Sequence, residues 1–271
     1  MKKNSTKMKL LSAAGMLAIS AAMLATSTYA WFSMNKEVSV TNMQLKAKSE
    51  DGILIAAYTQ SNSTWTAPTA SAFSNTANAS AADVNGSTVA ELLPTFTSAG
   101  TTWYHAASKV SNNGQDYTDA GYTVVTNDTT NSYYLTNKFQ IKSTGDEKAV
   151  YVKSITVTRG TEENYDPSMR VMIKSGDATL FFAPIGEHTG SETILAATAD
   201  DDALEANESI TFVSVNTTGA KILNDVTTTA EDVQVYIYFD GEDAACKTDN
   251  VGDFANKSVS IEFTTDTPTG T

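Results

Sequence analysis

The sequence predicts an all-β protein: an antiparallel two-sheet sandwich, jelly-roll-like, with a long polar insertion near the N-terminus. Three observations carry that expectation. Short segments alternate apolar and polar residues with period two. Turn pairs such as Asp51-Gly52, Gly145-Asp146, Gly176-Asp177 and Asp240-Gly241 punctuate them. No segment beyond the first 30 residues sustains a helical period, although "DDDALEANE" (200–208) could form a short helix with an Asp cap.

The N-terminus comes first. Lys2, Lys3, Lys7 and Lys9 precede an uncharged run from Leu10 to Ala25, and Thr28-Tyr29-Ala30 then places a small residue before Trp31. This pattern predicts a signal peptide over 1–30, cut between Ala30 and Trp31. The alternative is an uncleaved anchor, but the run is Ala-rich and short of a comfortable span. Removing residues 1–30 takes away four lysines and no acid, moving the formal charge from −13 to −17. Nucleic acid and anionic lipid need a basic footprint, so neither is an expected partner. The membrane enters only through the precursor's leader.

Residues 31–271 are expected to form one sandwich domain, long enough for a core without disulfides. The single cysteine, Cys246, has no internal partner and suits a buried position. Within 31–48, Val38 and Val40 share one face, while Met43, Leu45 and Ala47 share the other parity. That switch implies a bend near Thr41-Asn42. Strand candidates follow at 53–58, 101–107, 121–126, 133–142, 149–158, 169–174, 179–183, 192–197, 209–215, 233–239 and 259–263. The clearest are "VQVYIYF", with Val233, Val235, Ile237 and Phe239 on one face, and "VSIEF". In "MRVMIK", Met169, Val171 and Ile173 alternate with Arg170 and Lys174. One apolar and one wet face fits antiparallel sheets. Residues 59–90 are rich in Ser, Thr, Asn and Ala with one charge, Asp83, and are expected to be a surface insertion.

Catalytic residue types are scarce. His105 and His188 are isolated and lack the spacing of a zinc site. There is no G-x-S-x-G elbow, and nothing near Cys246 could activate it. No enzyme activity, catalytic residue or cofactor is expected. The one metal reading is Ca²⁺ on Asp240, Glu242, Asp243 and Asp249 in "FDGEDAACKTDN". The spacing is not that of an EF-hand, and a solvated hairpin end is the simpler account of the loop. Trp65, Trp103 and Tyr104 are candidates for stacking on a sugar, with a core position the simpler account of Trp103.

A cut before Trp31 frees a strand that can pair with an open sheet edge of a neighbouring copy. Head-to-tail pairing does not close, so it builds a fibre. The residues expected in that assembly are Trp31, Phe32, Met34, Val38, Val40, Met43 and Leu45, with 31–48 as the donor strand. The run ending "STYA", the start "WFSMNKEV" and the strand "VSVTNMQLKAKSEDGILIA" resemble the TasA/camelysin family of Gram-positive bacteria. The later stretch "VQVYIYFDGEDAACKTDN" is similar in style. The resemblance implies a jelly-roll subunit, matured by a SipW-type signal peptidase, that polymerises by N-terminal donor-strand exchange into fibres of a biofilm matrix. It implies a secreted protein of the extracellular matrix or cell surface. A cell-surface adhesin or glycan-binding sandwich is the alternative, and a camelysin-like surface metalloprotease a further one, for which the chain offers no recognisable ligand set.

Overall fold

In the computed structural model, the structure describes residues 44–49, 52–61, 64–80, 82–83, 94–97, 99–106, 122–124, 133–158, 168–176, 178–183, 194–197, 209–213, 220–241 and 258–266. They form two main sheets packed face to face. The first sheet contains β1 (Gln44–Ser49), β5 (Thr76–Ser80), β10 (Lys148–Thr158), β14 (Ser209–Val213), β15 (Lys221–Val226) and β17 (Ser258–Thr264). The second contains β2 (Ile53–Ala57), β6 (Ala82–Asp83), β9 (Leu135–Ser143), β11 (Met169–Ser175), β12 (Ala178–Ala183), β13 (Ile194–Ala197) and β16 (Glu231–Phe239). Two hairpins stand apart: β3 (Thr59–Ser61) with β4 (Thr64–Thr66), and β7 (Tyr104–Ala106) with β8 (Tyr122–Val124).

The all-β sandwich expected from the alternation is the architecture found. Most ladders are antiparallel, and two are parallel: β1 beside β17 and β12 beside β13. The first sheet runs β14-β10-β17-β1-β5, with β15 continuing along the same side of β10 as β14. The second runs β13-β12-β11-β16-β9-β2.

Period two explains the packing. In the second sheet Met169, Val171 and Ile173 lie opposite Phe239, Ile237 and Val235, and these side chains face the core. In the first sheet Val259 and Ile261 sit between Leu45 and Ala47 on one side and Val157 and Ile155 on the other. Strand β10 changes phase at a register shift between Val152 and Ser154. The irregularity lets both Val152 and Ile155 face inward while Lys153 stays exposed and meets Glu262 at 3.2 Å.

Segment 59–90 is exposed along most of its described length, and it also closes the side of the sandwich. Ser74 exchanges backbone hydrogen bonds with Ile55 at the edge of the second sheet (2.8 and 3.1 Å). The chain then crosses to the first sheet, where β5 pairs with β1 and Ala77 reaches the core. Strand β15, absent from the expected set, pairs irregularly with β10 and carries no clean alternation. The candidate helix at 200–208 lies outside the described residues.

Candidate functional site

The outer face of the second sheet departs most from the expected wet surface. Residues 94–97 and 99–106 lie over it as a strap. Thr95 donates its N–H to the Phe239 carbonyl and accepts from the Gly241 N–H, both at 3.0 Å. Phe96 and Tyr104 exchange backbone hydrogen bonds and stack with ring centroids 5.2 Å apart. Beneath the strap Trp103 meets Tyr134, Tyr236 and Tyr238 at 4.5, 5.5 and 5.0 Å. With Met172 and Phe181 these rings form a second apolar cluster, outside the main core. Trp103 is only 7% exposed, so it is a strap anchor rather than an open stacking platform.

The strap's turn is fitted closely. Gly100 has φ +66°, and a Cβ there would come within 2.9 Å of both Met172 Sδ and Thr179 Cγ2. Its N–H donates to Thr97 Oγ1 at 3.0 Å, and its carbonyl accepts from Lys174 Nζ at 2.9 Å. Where the strap reaches the sheet, Arg170 Nη2 lies 3.5 Å from Asp240 Oδ2, and both side chains are wholly buried. Arg170 Nη1 also donates to the Met169 carbonyl at 3.0 Å. Asp240, a candidate calcium ligand in the sequence, is thus held by a guanidinium inside the protein. The other candidates, Glu242, Asp243 and Asp249, lie outside the described residues, among which no cluster of three metal-ligating side chains occurs.

Beside the strap, cross-strand register builds a polar row. Lys174 lies opposite Gln234, and Gln234 opposite Lys138. With Ser175, Gly176, Asp232 and Tyr236 they line an open groove of about 230 Å³. Gln234 Nε2 donates to Thr136 Oγ1 at 2.9 Å, and Ser175 Oγ donates to the Asp232 carbonyl at 2.6 Å. Tyr58 donates its O–H to Asp232 Oδ1 at 2.7 Å, and Gln140 Nε2 donates to both oxygens at 3.0 Å. Burial, then the Asp232 carboxylate, pushes the Tyr58 pKa up to about 12. Burial, then Tyr134, does the same for Tyr236, and burial also raises Tyr134. Trp65, half-buried on β4, meets Tyr58 edge-on at 6.4 Å, and Lys138 Nζ lies 6.0 Å from both ring centroids.

The expected assembly residues divide. Leu45 is 1% exposed in the chain's own core, where β1 is hydrogen-bonded to β17 and β5. It therefore packs this subunit's sandwich and does not belong to a free connector. Trp31, Phe32, Met34, Val38, Val40 and Met43, and the cut at Ala30, lie outside the described residues, as do His188 and Cys246. His105 falls on β7. The groove had no signal in single motifs; it required the register of three strands. No protein-family model, curated protein or solved structure matches this chain.

Proposed function

We propose that this protein is a secreted structural subunit that polymerises head to tail, donating residues 31–43 to a neighbouring copy. The observation that carries the reading is the position of β1. Gln44 begins a strand bonded on both sides, opposite Ser258 and Ser80, so whatever precedes it is tethered firmly to the sandwich. A freed segment of 31–43 could extend roughly 43–47 Å. The longest strand among the described residues, β10, has 11 residues and spans about 36 Å, so the reach suffices for a neighbour's sheet.

Receptive edges support the same reading. Strands β5, β13 and β14 are each bonded on one side only among the described residues. Their sequences, TANAS, ILAA and SITFV, hold neither a charge nor a proline, the usual protections of an edge. Backbone pairing supplies the ladder of such an assembly, and Trp31 and Phe32 supply apolar anchors. The resemblance of "STYA" and "WFSMNKEV" to the TasA/camelysin family favours a biofilm matrix fibre as the product, after cleavage by a SipW-type peptidase.

Electron microscopy of chains beginning at Trp31 and at Gln44 tests the proposal. The expected result is fibres from the first and monomers of matching circular dichroism from the second. Fibres from both, or from neither under any condition, overturn it.

A further inference from the structure

We propose that the groove between β9, β11 and β16 is a binding site for a carboxylated sugar, one uronate residue of an acidic glycan.

The charge arrangement leads to this class of ligand. Lys138 and Lys174 flank Gln234 in one cross-strand row, two strand spacings apart, or about 9.6 Å between their backbones. Neither ammonium has a carboxylate partner among the described residues. Lys174 is steered by the Gly100 carbonyl, and Lys138 lies over the Tyr58 and Trp65 rings. The acid beside them, Asp232, is engaged by Tyr58 and Gln140. Two ammonium groups with no partner acid among the described residues, against the one lining carboxylate of Asp232, leave the groove locally positive in a chain of formal charge −13, a cradle for an anion.

The remaining lining suits a sugar rather than a bare anion. Gln234 is held by Thr136, and its amide is placed between the lysines to meet a hydroxyl. Ser175 and Asp232 add polar atoms at one end. Tyr236 offers an aromatic wall at the other, with a phenol that can donate a hydrogen bond. The volume, about 230 Å³, lies below the roughly 300–1,000 Å³ of enclosed small-molecule pockets. It fits one ring of a chain that continues across an open face, where Tyr58 and Trp65 lie beyond Lys138.

The site does not depend on assembly, so the test reads binding alone. The chain covering residues 31–271 is titrated calorimetrically at low salt with a trimer of galacturonic acid, a neutral galactose trimer and inorganic phosphate. The trimeric uronate is expected to bind, with affinity falling as sodium chloride is raised. Lys138→Gln and Lys174→Gln should each weaken it at least about tenfold, the worth of one charge-assisted hydrogen bond. Lys142→Gln, whose ammonium sits over Phe73 at 4.2 Å outside the groove, should leave binding unchanged. Melting curves establish that each variant is folded. Equal binding of the neutral trimer or of phosphate overturns the proposal. So does the absence of uronate binding, or binding by the lysine variants as strong as by the parent.

Discussion

Replacing Arg170 by Met tests how the outer face of the second sheet is held. The guanidinium and the Asp240 carboxylate are both wholly buried, 3.5 Å apart. Their attraction need not exceed the cost of drying both groups, so the pair is not a large net source of stability. Removing one partner is different, because it strands a charge in a site closed by Thr95, Phe239 and Gly241. Breaking a buried pair in this way destabilises by about 3–5 kcal/mol. For a domain of 150–250 residues, roughly 2–4 °C per kcal/mol gives a fall in Tm of about 6–20 °C. Urea unfolding of Arg170→Met, Asp240→Leu and the double variant completes a cycle. The double variant should lose much less than the two singles together, because neither buried charge remains. Singles that lose under about 1 kcal/mol, or that simply add, would refute the buried pair. A calcium-dependent gain in stability abolished by Asp240→Asn would likewise refute the assignment of this carboxylate to the guanidinium.

Other substitutions separate packing from backbone strain. Gly100→Ala and Gly176→Ala both place a side chain at positive φ, but only Gly100 also meets Met172 and Thr179. Gly176→Ala should lose about 1–2 kcal/mol from the backbone alone, and Gly100→Ala clearly more, measured by urea midpoint. Trp103→Ala should destabilise by about 3–5 kcal/mol and expose the strap to proteolysis while the main core survives. In alkaline titration followed by tyrosine absorbance, Tyr58 and Tyr236 should ionise near pH 12, above the ordinary phenol value of 10.0. Their folded pKa values lie above the unfolded value of 10.0, so the fold favours the protonated phenols. That contribution is fully present below about pH 10 and is lost as pH rises through about 12. Tyr58→Phe and Tyr236→Phe should each flatten the loss.

The main core was legible because it is written locally. Val233, Val235, Ile237 and Phe239 keep strict parity in one strand, and Val259, Ile261 and Phe263 do so in another. The outer face was not, because its cover comes from far along the chain. Arg170 and Tyr238 occupy the polar parity of their strands, yet both are buried. The signal available was aromatic: Tyr236 and Tyr238 with Met172 and Phe181 make a second apolar stripe on that parity. In "TANAS", small residues hid an edge strand inside a loop-like composition, although Ala77 and Ala79 alternate. Strand β15 was missed because its irregular pairing with β10 lets Ile222 and Leu223 both be buried in sequence. The groove needed register: Lys138, Gln234 and Lys174 lie 36 or more residues apart.

The direct test of the assembly account adds the connector in trans. A fluorescent peptide of residues 31–43 is titrated into the chain beginning at Gln44, and anisotropy is read. The account predicts saturable binding, with one peptide per subunit, and loss of binding when Val38 and Val40 are replaced by Asp. No rise in anisotropy, or equal binding of a scrambled peptide, would contradict donation of this segment to a neighbouring subunit.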